Sequence, residues 1–372
     1  MNFKELNLSS KILSAIDFMG HTRATQIQKE TIPHILNGYD VIGCAQTGTG
    51  KTGAFTIPIL EILANKKVHS RKLIKVLVLA PTRELAIQID DSFENYGKNL
   101  SLNHIAIFGG VSQVNQIAAL KKGVDILTAT PGRLLDLIKQ GYIDLSRIEF
   151  LVLDEADHML DMGFVNDIKK ILKILPTERQ TLFFSATMPN EIKKFAGTIL
   201  KKPKEVNVTP ISSTAKTVTQ ELYFVDKIDK QNLLIELLKR KTNSQSLVFT
   251  RTKHGADKLV KRLLKVGIKA SAIHGNKSQG NRQRVLSDFK RNNISVLIAT
   301  DIAARGIDIN ELPYVINYEL PSIPETYVHR IGRTGRAGNN GVAVSFCDKD
   351  ERKDLMGIQK LLGFTIPVII NN

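Results

Sequence analysis

Short apolar runs rich in β-branched residues recur along this chain, separated by segments of helical spacing, and this alternation limits the fold more than any other feature. Val41-Ile42, Val76–Leu79, Ile105–Phe108, Ile126–Ala129 and Phe150–Leu153 begin the series. Thr181–Phe184, Ser246–Phe249, Val296–Ala299 and Tyr314–Ile316 continue it. Their nearly continuous apolar character predicts strands covered on both faces, as in a parallel sheet. The stretches between them, such as Glu84–Tyr96 and His254–Leu264, predict helices. Strand and helix in turn give an α/β fold of doubly wound parallel sheets.

A chain of 372 residues suits two domains of this kind. The polar, turn-rich stretch Thr209-Pro210-Ile211-Ser212-Ser213-Thr214 has no clear period and reads as a linker. We therefore expect one domain over residues 1–207, a linker over 208–216 and a second domain over 217–372. A faint duplication crosses that boundary. Leu79-Ala80-Pro81-Thr82-Arg83 resembles Phe249-Thr250-Arg251-Thr252-Lys253, and Ile126–Thr130 resembles Val296–Thr300. Each is a strand running into hydroxyl or basic residues, at the carboxyl edge where open α/β sheets bind ligands.

Two local patterns carry chemistry. Ala45-Gln46-Thr47-Gly48-Thr49-Gly50-Lys51-Thr52 lies between a predicted strand and a helix and matches a phosphate-binding loop, with Ala45 in place of the usual first glycine. Its small residues let successive backbone N–H groups wrap a phosphate at a helix N-terminus. Lys51 would neutralise the β- and γ-phosphates, and Thr52 would offer its hydroxyl to Mg²⁺. A partner for the metal should end another apolar strand, and Asp154-Glu155-Ala156-Asp157 follows Phe150–Leu153. Asp154 is placed to hold Mg²⁺, and Glu155 to orient and deprotonate an attacking water. A nucleoside triphosphate and Mg²⁺ are thus the expected ligands.

The net charge of +16 favours a polyanionic partner. It is uneven: residues 1–207 carry 26 Lys and Arg against 21 Asp and Glu, a net of +5, and residues 208–372 carry 26 against 15, a net of +11. Cys44 and Cys347 are the only cysteines, which excludes a disulfide framework or cysteine zinc site and suits a reducing cytoplasm. The polar start Met1–Glu5 does not read as a signal peptide, and apolar stretches such as Val76–Ala80 are far short of a membrane span.

With these motifs in place the chain resembles the DEAD-box RNA helicases, whose name is the tetrapeptide Asp154–Asp157. The rest of that family's series appears in order over nearly the whole chain. Gly20–Gln28 is similar to the adenine-reading element, and Pro81–Ala86, Gly109-Gly110, Thr130–Arg133 and Ser185-Ala186-Thr187 follow. Leu247–Thr252, His274-Gly275 with Ser278-Gln279 and Arg282, Ala299–Asp308 and His329–Arg336 complete it. The pattern is nearest to the bacterial RhlE-type subgroup. His21 and Ala24 depart from the family's aromatic and proline, which bears on the stiffness of the adenine loop.

The resemblance implies two RecA-like domains in tandem and an RNA-dependent ATPase that unwinds short RNA duplexes or remodels RNA–protein complexes. It implies that Gln28 reads adenine and Phe3 stacks on it, with Thr47, Gly48, Thr49, Gly50, Lys51 and Thr52 around the phosphates and Asp308 at the ribose. Arg333 and Arg336 match the arginine fingers, completing a catalytic set with Lys51, Asp154 and Glu155. Arg83, Gly110, Thr130, Gly132 and Arg133 match RNA-backbone positions in the first domain. Thr252, Gln279, Arg282, Thr300 and Arg305 do so in the second. Ser185, Thr187, His329 and Arg330 match residues that couple nucleotide state to the RNA groove. The catalytic groups are then split between domains, so turnover requires both.

Two other readings stand beside this one. An ATP-gated RNA clamp would share every motif and differ only in unwinding little. Another phosphate-loop class, such as a nucleotide kinase or DNA translocase, leaves Gln28, the Ser-Ala-Thr segment and the arginine pair unexplained. We expect a cytoplasmic monomer with no membrane partner, acting on single-stranded and short duplex RNA without base readout, possible partners being ribonucleoproteins or the ribosome-assembly and degradation machineries.

Overall fold

Alternate side chains of each strand enter different cores, and this sorts the molecule. In the computed structural model Val76 and Val78 lie in one buried cluster while Leu77 and Leu79 lie in another. The structure describes residues 2–46, 48–66, 73–208, 218–240, 244–304, 309, 312–334 and 341–369, apart from the side chains of Gln279 and Ile302.

The chain divides into two compact units, Met1–Thr209 and Pro210–Asn372. The first holds strands β1 (Val41–Cys44), β2 (Val76–Leu79), β3 (His104–Ile107), β4 (Ile126–Ala129), β5 (Phe150–Leu153), β6 (Gln180–Ser185) and β7 (Lys204–Asn207). They form one sheet in the order β3-β4-β2-β5-β6-β1-β7. Every pairing in it is parallel. Helices cover both faces, as parallel crossovers require. One cluster packs Phe55, Phe93 and Ile27 against Val152 and Phe184; the other packs Leu134, Ile168 and Phe195 against Leu151 and Phe183.

The second unit holds β8 (Thr219–Phe224), β9 (Ser246–Phe249), β10 (Ala270–Ile273), β11 (Val296–Ala299), β12 (Tyr314–Asn317) and β13 (Val342–Cys347). Its order is β10-β11-β9-β12-β13-β8, again parallel throughout. Val248, Ile298 and Ile316 face one side, and Leu247, Leu297 and Val315 the other. The fold class read from sequence holds for both units.

Nine strands read from sequence are present, with shifts of a residue or two at some ends. Four had not been read: β7, β8, β10 and β13. β7 exposes three of its four residues and is an edge strand. β8 and β10 are the edges of the second sheet. β13 breaks its apolar run with Ser345, whose buried hydroxyl receives Asn317 Nδ2 at 3.2 Å. Val208, placed with the linker on sequence grounds, donates its N–H to the Cys44 carbonyl at 2.9 Å and is 5% exposed. The remainder of that linker, 209–216, lies outside the described residues. No helix among the described residues is long and apolar enough to cross a membrane.

Candidate nucleotide and RNA sites

The phosphate loop joins β1 to the helix Lys51–Ala64, and Gly50 caps that helix at φ 92°, where a side chain would be strained. A Cβ on Gly50 would also meet Gln28 Nε2 at 2.7 Å, so the loop and Gln28 fit only with glycine there. Gln28 Nε2 donates to the Gly50 carbonyl at 3.1 Å, and Gln28 Oε1 accepts from Thr25 N–H at 3.0 Å. The second bond belongs to the capping box that opens the helix Gln26–Leu36. The departures His21 and Ala24 leave this box intact. Thr49 Oγ1 donates to the Gln46 carbonyl at 2.6 Å, closing the loop on itself. Thr47 lies outside the described residues.

Lys51 is 5% exposed, and its Nζ has no hydrogen-bond partner among the described residues. A buried ammonium in that condition is costly unless an anion joins it. Asp154 follows β5, is 2% exposed and spends one oxygen on the Glu155 N–H at 2.9 Å. Burial pushes its carboxyl up to about 7, against the pull of Lys51. A carboxylate so unwilling to ionise fits a divalent cation, whose charge would reverse the effect. The Thr52 hydroxyl, one residue beyond Lys51, completes the oxygen donors expected for Mg²⁺.

Glu155 sits in the left-handed region at φ 49°, ψ 50°, uncommon for a residue with a Cβ. Its Oε2 lies 2.9 Å from His158 Nδ1, and both residues are buried. Asp157 Oδ2 accepts both the N–H and the hydroxyl of Thr187, each at 2.9 Å. Ser185 Oγ donates to the Thr187 carbonyl at 2.7 Å. The acidic tetrapeptide and the Ser-Ala-Thr segment are thus joined. Sequence reasoning had assigned no site role to Asp157 or His158; position inside the tetrapeptide was the only signal.

Phe3, expected to stack on a base, is 3% exposed and belongs to the first core cluster with Leu6 and Ile27. In this structure its ring serves the core, because the turn Phe3–Leu6 is clamped over it by an Asn2–Glu5 capping box.

The RNA-backbone candidates of the first unit gather at strand ends. Gly110, at φ 75°, lies against Arg83: a Cβ there would sit 2.1 Å from the guanidinium. Thr130 caps the helix Pro131–Lys139, on which Gly132 is exposed. Arg133 Nη2 donates to the Val111 carbonyl at 3.1 Å and Nη1 to Gln116 Oε1 at 3.2 Å. Gln116, which sequence reasoning missed, also bonds both backbone groups of Phe108. It ties Arg133 to the turn that carries Gly110.

In the second unit Thr252 caps the helix Lys253–Lys265 by accepting the Gly255 N–H at 3.0 Å. Thr82 caps the helix Arg83–Gly97 in the same way, so the duplication seen in sequence is a repeated cap. Arg282 Nη2 donates to the Ala303 carbonyl at 3.3 Å, and Thr300 is half-buried after β11. Arg330 is 2% exposed and fully engaged. It makes a bidentate pair with Asp301 at 2.6 and 2.8 Å, and Nη1 also donates to Asn317 Oδ1 and the Glu319 carbonyl. Its guanidinium lies over the Phe249 ring. It therefore welds three strand ends of its own unit. Arg333 is 6% exposed and His329 half-buried. Arg305, Asp308, Arg336 and the Gln279 side chain lie outside what is described.

Comparison with known proteins agrees with this chemistry. A DEAD/DEAH box helicase family profile matches residues 25–195, and a helicase conserved C-terminal domain profile matches residues 229–338. The DEAD-box ATP-dependent RNA helicase RhpA of Helicobacter pylori is 42% identical over 376 positions, covering all of this chain and 75% of its own length. Among solved structures, S. cerevisiae Dbp5 bound to RNA and ADP BeF3 is 32% identical with a TM-score of 0.87, covering 99% of this chain and 95% of its own. Mss116p bound to ssRNA and AMP-PNP is 29% identical with a TM-score of 0.90, covering 100% and 80%.

Proposed function

This chain belongs to the DEAD-box family of ATP-dependent RNA helicases, and from that premise we propose how its residues divide the work. It is an RNA-dependent ATPase whose ligands are ATP and RNA. The buried ammonium of Lys51, with no hydrogen-bond partner among the described residues and acting on the buried carboxyl of Asp154, is the observation that carries the assignment of the catalytic seat.

Lys51 receives the β- and γ-phosphates, with the N–H groups of the loop that includes Thr47, Gly48, Thr49 and Gly50. Gln28 keeps one amide hydrogen and one lone pair for the adenine edge. Thr52 and Asp154 would hold Mg²⁺, which neutralises phosphate charge when bound. Glu155 orients the attacking water and takes its proton, held in place by His158. Arg333 and Arg336 stabilise charge on the transferred phosphoryl group, and Asp308 contacts the ribose.

Arg83, Gly110, Thr130, Gly132 and Arg133, with Thr252, Gln279, Arg282, Thr300 and Arg305, hold the RNA backbone without reading bases. Ser185, Thr187, His329 and Arg330 transmit nucleotide state to those contacts. The protein acts as a cytoplasmic monomer, on RNA or ribonucleoproteins. Because the catalytic groups come from both units, ATP and RNA each tighten the other's binding.

The test is Arg333→Ala. RNA-stimulated ATP turnover should fall by about 10³-fold, the scale of an arginine finger, with ATP affinity little changed. Undiminished stimulated turnover would overturn the divided site.

A further inference from the structure

The two sheets share one plan. Set side by side, β10-β11-β9-β12-β13-β8 matches β3-β4-β2-β5-β6-β1 strand for strand. β8 then stands where β1 does, and the helix Lys230–Arg240 follows it as the helix Lys51–Ala64 follows β1. Both helices begin with a lysine, and both lysines are buried, at 5% and 1% exposure.

Their company differs. Lys51 Nζ has no hydrogen-bond partner among the described residues. Lys230 Nζ lies 2.9 Å from Asp348 Oδ2 and also pairs with Glu351 Oε2. Those carboxylates follow β13, the counterpart of β6, so they come from the place that Ser185–Thr187 holds in the first unit. A buried ammonium needs an anion. Nucleotide phosphate would serve Lys51 only while bound; the chain's own carboxylates serve Lys230 permanently.

The cluster reaches further. Glu351 Oε1 accepts the Leu320 N–H at 3.0 Å and lies 3.6 Å from Arg251 Nη2. Arg251 donates from Nε to the Leu320 carbonyl at 2.7 Å and from its backbone N–H to Glu319 Oε2 at 2.6 Å, and it also pairs with Asp354. The residue just before Thr252 is therefore fixed by the same carboxylate that neutralises Lys230. The Glu319 carbonyl in turn receives Arg330 at 2.6 Å.

We infer that Lys230 is the second unit's counterpart of Lys51, its phosphate place filled by Asp348 and Glu351, and that this internal pair positions Arg251 and the cap at Thr252 for RNA. Lys230 and Glu351 are positioning residues: neither touches nucleotide. The RNA half of the inference rests on the role proposed above for Thr252, and the phosphate half does not.

Two measurements on the full chain separate the halves. In a Lys51→Ala background, which silences the first seat, Asp348→Asn with Glu351→Gln strips Lys230 of its carboxylates. Inorganic pyrophosphate should then raise the melting temperature well beyond its effect on Lys51→Ala alone, and adding Lys230→Met should abolish the gain. No added gain would overturn the phosphate half. Glu351→Gln alone should raise the RNA concentration for half-maximal ATPase stimulation by about tenfold, with turnover at saturating RNA unchanged. An unmoved half-point overturns the positioning half. Should the triply substituted protein not fold, Glu351→Gln in the Lys51→Ala background carries the pyrophosphate arm. A parent protein that RNA does not stimulate would instead indict the underlying RNA reading.

Discussion

Asp154 shows how one residue trades stability for chemistry. Its folded carboxyl is pushed up to about 7, above the ~3.9 of an unfolded chain. Between those values the folded state keeps a proton that the unfolded state has released, so stability falls as pH rises through that window. Asp154→Asn removes the burden. In chelator and without nucleotide, the variant should melt above the parent at pH 7.5, by on the order of 2 kcal/mol, and the gap should narrow toward pH 4.5. A gap that does not change with pH would count against it. ATP turnover should be lost. Lys51, Thr52, Asp154 and Glu155 were legible in sequence because each lies within a short motif whose spacing encodes its geometry. Asp157 with Thr187 and Gln116 with Arg133 were not: the partners are 30 and 17 residues apart and meet only through the sheet order. The core packing of Phe3 was not legible either, because an aromatic near the chain start looks the same whether it faces a base or a core.

Central strands other than β13, whose run Ser345 interrupts, were readable because burial on both faces leaves an unbroken apolar run. The edges β7, β8 and β10 were not, because an edge strand such as β7 must remain partly polar. β3 is also an edge, and it is pinned to the helix Arg83–Gly97 by charge. His104 Nδ1 meets Asp90 Oδ1 at 2.9 Å, and its Nε2 meets Glu94 Oε2 at 2.7 Å. The hydrogen bond that the imidazole donates to Asp90 raises it above its ordinary value, with Glu94 adding to this and burial opposing. For a raised histidine the contribution is complete below the unfolded value of about 6.5 and fades as pH climbs through the folded one. His104→Gln should therefore be less stable than the parent at pH 6 by about 0.5–1 kcal/mol, allowing for the exposed Glu94. The deficit should close by pH 9. Denaturant melts at the two pH values decide it, and an equal deficit at both would refute the clamp.

Each unit has its own cores: two flank the first sheet, and three serve the second. The whole-molecule consequence is that residues 1–208 should fold alone and bind ATP. That fragment lacks Arg333 and Arg336, so RNA should leave its slow turnover unchanged. Turnover equal to that of the RNA-saturated full chain would sink the divided site. The duplication was legible only as two similar strand ends; that it extends over six strands needed the sheet order, which no local pattern carries. The Lys51 ammonium, buried with no hydrogen-bond partner among the described residues, gains one when phosphate binds, so nucleotide should steady the first unit. Trypsin should nick the protein more slowly in saturating ATP than without nucleotide, and equal cleavage rates would refute the link.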